Sequence, residues 1–180
     1  DFEQMKKVIF DQQRRDGKTS RIMREVHKRD SDAAILLYDK KRDRVVMVRQ
    51  FRPAAFVNGD PSFMSEVPAG LLDDDNAADA IRREAMEESG YAVEKVDYLF
   101  DMYASPGTLT EKVSLFVAHI DLDVQAGNGG GLASEGEDPE VFTYGLDEAF
   151  AMIAFGEITD SKTIILLQWA MLYPIGSAHV

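Results

Sequence analysis

The period of the apolar residues changes along the chain, and this change restricts the fold most strongly. Ala33 to Tyr38 and Arg44 to Phe51 are rich in Val, Ile and Leu, which predicts two β-strands. From Asn76 to Ser89 the apolar spacing becomes helical, and Gly90 follows where a helix is expected to end. Such an irregular alternation of strands and helices predicts an α/β protein with a mixed β-sheet and helices packed on it.

The other elements follow from the same rules. Val8 to Phe10 and Ile22 to Val26 predict a hairpin with Asp16-Gly17 in its turn, while several prolines predict a loop over residues 52–68. The three aspartates at 73–75 are expected to cap the helix that follows them. Strands are predicted at 96–103, 113–120 and 141–144, helices at 147–155 and 161–173, and a long glycine-rich acidic loop at 127–140.

Composition excludes several classes of function. The 180 residues suit one domain, and the net charge of −12 disfavours binding to nucleic acid or to an anionic membrane. The absence of cysteine excludes disulfides, thiol nucleophiles and cysteine-ligated metals, and the three histidines are far apart in sequence. Without a membrane-spanning run or a signal peptide, the sequence predicts a cytoplasmic protein with no membrane partner.

Three carboxylates share one face of the predicted helix at 76–89. Glu84 and Glu88 lie about 40° apart around the helix axis, and Glu87 lies about 60° to the other side of Glu84. Like charges at this spacing destabilise a helix unless a cation lies between them, and Mg²⁺ or Mn²⁺ takes oxygen ligands. A solvated acidic face paired with Arg82 and Arg83 is the alternative. Either interpretation predicts that these carboxylates lie on an exposed face.

The sequence around this helix resembles the Nudix box. That pattern is Gly, five residues, Glu, seven residues, then Arg-Glu, an apolar residue, any residue, Glu-Glu, any residue, Gly and an apolar residue. The closing half is complete in Arg83 to Tyr91. The opening half departs from the pattern, because the Glu position holds Asp75 and the Gly position holds Ala69, with Gly70 one place later.

The resemblance continues along nearly the whole chain and is closest to the nucleoside-diphosphate-sugar branch of the Nudix hydrolases. It implies a Nudix fold, in which helices sandwich a mixed β-sheet over residues 31–180. It also implies a homodimer that exchanges N-terminal strands from residues 1–30. The segments that carry it are Arg49-Gln50-Phe51-Arg52, Val57-Asn58-Gly59, Glu66-x-x-Ala69-Gly70-Leu71-Leu72-Asp73, Ser105-Pro106-Gly107-x-x-Thr110-Glu111 and Gly156-Glu157-Ile158-x-Asp160-x-Lys162-Thr163.

The implied activity is hydrolysis of the pyrophosphate of a nucleotide sugar. GDP-mannose is the first expected substrate, and ADP-ribose or another nucleoside-diphosphate sugar is the alternative. A protein that only senses a nucleotide sugar is the non-catalytic alternative. Paired divalent ions suit pyrophosphate chemistry, because they neutralise phosphate charge and activate water.

The resemblance also implies the metal ligands. They are the Ala69 carbonyl, Glu84, Glu88 and Glu137, with Mg²⁺ as the expected cofactor and Mn²⁺ as an alternative. Glu84, Glu88 and Glu137 form the implied catalytic set, with Glu137 as the base. The register of the acidic loop leaves Glu135 open as the base instead.

The implied substrate contacts come from two chains. Within one chain they are Arg52, Ala69, Gly70, Leu71, Glu88, Glu111 and Lys162. Arg52 is predicted to bind a phosphate, and Lys162 is unfavourable in the first turn of its helix unless an anion is bound there. The alternative for Arg52 is a solvated side chain, and for Glu111 an ion pair at the rim. The contacts implied for the partner chain are Met23, Arg24, Glu25 and Phe2.

Overall fold

A computed structural model describes residues 5–72, 76–132, 134, 136, 138–173 and 175. The described residues form nine strands and four helices. The strands are β1 (Met5–Gln13), β2 (Thr19–His27), β3 (Asp32–Asp39), β4 (Arg44–Phe51), β5 (Phe63–Glu66), β6 (Ala69–Leu71), β7 (Asp97–Tyr103), β8 (Lys112–His119) and β9 (Glu140–Gly145). The helices are α1 (Pro53–Asn58), α2 (Ala77–Ser89), α3 (Leu146–Ala154) and α4 (Ser161–Leu172).

A mixed seven-stranded sheet forms the body of the protein. Its main order is β5-β4-β3-β8-β7, with β6 also pairing with β3 and β9 with β4. β3 runs parallel to β8 and antiparallel to β4 and β6. Alternate residues of β3 face opposite sides, so Ile35 packs in the cluster that contains Ile81 of α2 and Leu36 in the cluster that contains Leu166 of α4. The predicted mixed sheet with helices on both faces is confirmed.

The N-terminal hairpin forms a separate two-stranded sheet. β1 and β2 pair along their whole length, from Met5 opposite His27 to Gln13 opposite Thr19. Gly17 adopts a left-handed conformation in the turn, with φ of 79°. The hairpin is joined to the body where the His27 amide donates to the Thr108 carbonyl at 2.7 Å. The predicted hairpin is therefore present, and its strands are longer than expected.

Two local predictions are wrong. The segment predicted as a loop over 52–68 contains α1, β5 and β6, because Pro53 occupies the first turn of α1, where no amide donor is needed. The N-cap of α2 is Asn76 and not one of the aspartates, since its side chain accepts from the Asp79 amide at 3.1 Å.

Residues 73–75, including the Asp75 of the Nudix pattern, lie outside the described residues. No helix in the described ranges is long and apolar enough to cross a membrane.

Candidate functional site

Helix α2 presents the predicted carboxylates from a well-defined frame. Ile81 and Ala85 are fully buried against the sheet, which fixes the rotation of the helix about its axis. The helix ends at Gly90, where φ is 78° and the amide donates to the Met86 carbonyl at 2.9 Å. Glu84 and Glu88 are therefore held on successive turns of a fixed helix.

Glu88 is buried and serves as a hydrogen-bond acceptor at the centre of the site. Its side chain is only 1% exposed, so the expected exposed face is wrong for this residue. Oε1 accepts from Nε2 of Gln50 at 3.2 Å, and Oε2 accepts from the Ala69 amide at 3.0 Å. These two donors compensate for the burial of the carboxylate and orient it towards strand β6.

Glu84 lies against β6 because Gly70 has no side chain. A Cβ atom at Gly70 would lie 2.2 Å from Cδ of Glu84, so a side chain at this position would displace the Glu84 carboxylate. Arg83 Nη1 donates to Oε1 of Glu84 at 3.0 Å and lies 3.9 Å from Glu87. Arg83 thus contacts both Glu84 and Glu87, and Glu84 and Glu88 are the two carboxylates that flank the Ala69–Leu71 strand.

The donor set fits a divalent metal ion in part. Glu84 and Glu88 lie beside the strand that contains Ala69, whose carbonyl is the third expected ligand. All three groups are oxygen ligands, which hard cations prefer. In the described ranges, no three His, Asp or Glu side chains form a complete metal site. Glu137 and Glu135 lie outside the described residues, so the expected third carboxylate is a prediction.

The glycine run of the acidic loop is bound to the C-terminal end of α2. The amides of Gly130 and Gly131 donate to the Glu88 and Glu87 carbonyls at 2.9 and 3.0 Å. Gly129 has φ of 65°, and a Cβ atom there would lie 2.7 Å from the Glu88 carbonyl oxygen. The glycines therefore allow the loop backbone to approach the carboxylate helix and satisfy its last carbonyls.

The two predicted phosphate-binding cations are paired with carboxylates. Arg52 Nε and Nη2 donate to the two oxygens of Glu66 at 2.7 and 2.6 Å. Lys162 Nζ lies 2.7 Å from Asp160 and 3.4 Å from Glu66. Burial alone would lower the pKa of Lys162, but the carboxylates of Asp160 and Glu66 raise it above its usual value. The unfavourable position of Lys162 on α4 is thus stabilised within the chain.

Glu66 is one functional candidate that the sequence analysis missed. It is 1% exposed and joins both cations, yet it was noted only as part of a segment. The signal was its position three residues before Ala69, in a stretch containing two other site residues. Its partners are 14 and 96 residues away in sequence, so no local pattern identifies them.

Two further carboxylates, Asp32 and Glu111, lie where β3 and β8 begin. Glu111 forms an ion pair with Arg29 at 3.4 Å, which is the rim pair considered as the alternative to a substrate contact. Asp32 has a buried Oδ1 without a hydrogen-bond partner, and no other buried side-chain atom of the described residues shares this property. Burial, with a further contribution from Glu111, raises the pKa of Asp32 to about 6. An unsatisfied buried acceptor costs about 1–3 kcal/mol, so Asp32 opposes folding near neutral pH.

The residues predicted to act across a dimer lie on the hairpin. Met23, Arg24 and Glu25 belong to β2, opposite Ile9, Val8 and Lys7 of β1, in the sheet that is separate from the body. Phe2 lies outside the described residues.

The sequence of this chain is similar to those of known proteins. A sequence model of the NUDIX domain matches residues 28–164. The chain is 46% identical over 167 residues to the GDP-mannose pyrophosphatase of Pectobacterium atrosepticum, covering 92% of this chain and 86% of that protein. It is 43% identical over 169 residues to the protein of the same name from Cronobacter sakazakii, covering 93% and 87%.

The fold is similar to that of a solved structure. A crystal structure of an ADP compounds hydrolase aligns with a TM-score of 0.69 over 96% of this chain and 87% of that chain. At 17% sequence identity, this similarity establishes the shared architecture alone.

Proposed function

The chain belongs to the NUDIX family and is a hydrolase, and we propose that it hydrolyses the pyrophosphate bond of GDP-mannose with Mg²⁺ as its cofactor. The products are GMP and mannose 1-phosphate. The observation that carries this proposal is the arrangement of Glu84 and Glu88 on α2 beside Ala69–Leu71, together with identity above 40% to GDP-mannose pyrophosphatases over most of the chain.

Each residue of the site has a distinct role in this proposal. Water attacks one phosphorus atom, the bond from that phosphorus to the bridging oxygen breaks, and the attacking water gives up a proton. We assign the proton to the carboxylate of Glu137, which acts as the general base. Glu84, Glu88 and the carbonyl of Ala69 would hold Mg²⁺, which neutralises phosphate charge and lowers the pKa of water when bound.

The paired cations orient the substrate. Arg52 and Lys162 share Glu66, so both side chains are held in place before a substrate binds. A preorganised cation loses little conformational freedom when it contacts an anion. We therefore propose that these side chains bind the nucleotide sugar beside the metal site, and that Glu111 and the strand Ala69–Leu71 line the same pocket.

The proposal predicts a defined substrate and metal dependence. With GDP-mannose and Mg²⁺ or Mn²⁺, the purified protein should release GMP and mannose 1-phosphate, and a chelator should abolish turnover until metal is restored. The measurement is product separation over a panel containing GDP-mannose, ADP-ribose and UDP-sugars. A higher kcat/KM with ADP-ribose than with GDP-mannose would contradict the assigned substrate. Tight binding of a nucleotide sugar without turnover would indicate a sensor.

We also propose that residues 1–30 form a dimerisation unit that packs on a second copy. The hairpin leaves large apolar side chains in solvent, and a two-stranded sheet has too little core to be stable alone. Residues 1–30 contain nine of the 20 Lys and Arg but six of the 32 Asp and Glu, so they are net positive on an acidic chain. This charge complements the acidic body of a second copy. The exposed apolar residues are Met5, Val8, Ile9, Phe10 and Met23.

Light scattering tests the dimer directly. At micromolar concentration the main species should have twice the chain mass of 20.1 kDa. Ile9→Asp should weaken the dimer because it places a charge in the proposed apolar interface, whereas Gln12→Asp on the same strand should have little effect. A single 20.1 kDa species for the wild-type protein would exclude the exchanged dimer. A cytoplasmic location and the lack of a nucleic-acid or membrane partner remain predictions from the sequence.

A further inference from the structure

Asp32 lies beside the proposed substrate pocket without taking part in the chemistry described above. It is the first residue of β3, opposite Leu71 of β6 on one side and Val113 of β8 on the other. Its side chain shares a face with Ala34 and Leu36, which pack in the cluster that contains residues of α4. Asp32 therefore faces the side of the sheet from which α4 presents Lys162.

The oxygen atoms of Asp32 are poorly satisfied within the chain. Oδ1 is buried and accepts no hydrogen bond in the described part of the protein. An ionised carboxylate can accept several hydrogen bonds, so Asp32 has unused acceptor capacity. Buried polar atoms without partners are rare in native proteins, and each one requires a physical explanation.

Ion pairing does not supply that explanation. The three cations that act electrostatically on Asp32 are Lys162, Arg29 and Arg52. Arg52 pairs with Glu66, Lys162 with Asp160 and Glu66, and Arg29 with Glu111.

The neighbouring cations therefore hold other carboxylates, while the carboxylate of Asp32, a partly exposed residue whose Oδ1 is buried, keeps unused acceptor capacity. A bound anion is a poor occupant, because Asp32 and Glu111 are both acidic. The remaining complementary group is a neutral donor, and the sugars of a nucleotide sugar carry several hydroxyl groups.

We propose that Asp32 is a specificity-determining residue that accepts a hydrogen bond from a hydroxyl group of one of the two sugars flanking the pyrophosphate. This inference rests on the proposed function, because it takes the pocket beside Lys162 and Glu111 as the substrate site. The donor is a hydroxyl of the hexose or of the ribose. In both cases the proposal explains why a carboxylate is retained where it opposes folding.

The test compares substrates that differ by one hydroxyl. Asp32→Ala should lower kcat/KM for GDP-mannose by about 10- to 100-fold, the range expected for a lost hydrogen bond to a charged group. The loss should be carried mainly by KM, because the contact is remote from the attacking water. With the analogue that lacks the contacted hydroxyl, wild type and variant should differ by less than about twofold. A 2-deoxyhexose series and a 2′-deoxyribose and 3′-deoxyribose series distinguish the two sugars.

A matched variant and a binding measurement separate the possible failures. Asp97→Asn changes an exposed aspartate paired with Lys95 and should leave kcat/KM unchanged. Equal losses for Asp32→Ala with every analogue, or no loss with any substrate, would overturn the role of Asp32. Absence of turnover by the wild-type protein would contradict the proposed function alone. The role of Asp32 would still be tested by calorimetry, which compares the binding of the same compounds to the wild-type protein and to Asp32→Ala.

The stability of an isosteric variant provides a readout independent of activity. Because Asp32 binds a proton more tightly in the folded state than in the unfolded chain, its cost is absent near pH 4 and complete above about pH 6. The groups that set this balance are Glu111, Lys162, Arg29 and Arg52. Asp32→Asn should therefore raise the melting temperature at pH 7.5 and have little effect at pH 4. A lower melting temperature at pH 7.5 would show that Asp32 is already satisfied and would contradict the proposal.

Discussion

Replacing Glu88 with glutamine is expected to lower kcat for GDP-mannose by about 100- to 1,000-fold while the protein remains folded. The substitution removes the negative charge that would hold the metal ion and preserves the shape of a buried side chain. One oxygen of the new amide can still accept from the Ala69 amide. Its NH₂ group would face Gln50, whose own amide can rotate to present oxygen. The cost to folding should therefore be about 1 kcal/mol, far below the effect on turnover.

Two neighbouring variants make this experiment specific. Glu84→Gln should show a comparable loss of turnover, because Glu84 flanks the same strand. Glu87→Gln changes a carboxylate on the same helix that lies off the line joining Glu84 and Glu88, and it should retain most activity. Mn²⁺ binding measured by calorimetry should weaken in the Glu84 and Glu88 variants only. If either of those variants retained half the wild-type rate at saturating metal, the two-carboxylate site would be wrong.

The sequence predicts well those elements that local periodicity determines. β3 and β4 are continuous apolar runs because both faces of the sheet are covered, and α2 has a helical apolar arc ending at Gly90. The prediction of a loop over 52–68 is wrong, because it treats the prolines and Asn58-Gly59 as breaks in all regular structure. Pro53 instead begins α1, and β5 and β6 are strands of four and three residues that exist through pairing with β4 and β3.

The same distinction applies to the candidate site. Glu84 and Glu88 are four residues apart on one helix, so their proximity follows from helix geometry. Lys162 shows the limit of local reasoning. Its place in the first turn of α4 suggested a bound anion, but Glu66 lies 96 residues earlier and supplies negative charge from another strand. Asp32 was missed for a related reason, because its burial depends on β6 and β8 together.

The glycine-rich loop gives a structural basis for predicting its catalytic carboxylate. At one end, the Gly130 amide donates to the carbonyl of Glu88. At the other end, Glu140 of β9 lies opposite Arg49 of β4 in the sheet, and Arg49 precedes the Gln50 that contacts Glu88. Both anchors of the acidic segment therefore border the carboxylate helix. The glycines support a defined attachment of the loop, and on this basis we assign the acidic residues between the anchors to the proposed site as a prediction.

We expect Glu137→Gln to lower kcat by at least about 100-fold, because the variant cannot accept a proton from the attacking water. KM should change little, since the carboxylate would act on the water and not on the sugar. Glu135→Gln should be nearly silent and provides the matched control within the same loop. Both variants should be measured side by side with GDP-mannose under saturating Mg²⁺.

The pair of loop variants distinguishes three mechanisms. An inactive Glu135 variant with an active Glu137 variant would place the base at Glu135 and would show that the register inferred across the loop is wrong by two residues. If both variants were active, the base would lie outside the loop, with Glu111 as the next candidate. The Glu111 carboxylate is already engaged in an ion pair with Arg29 at 3.4 Å. For this reason we assign the base to Glu137, and loss of kcat in that variant alone is the result that would support it.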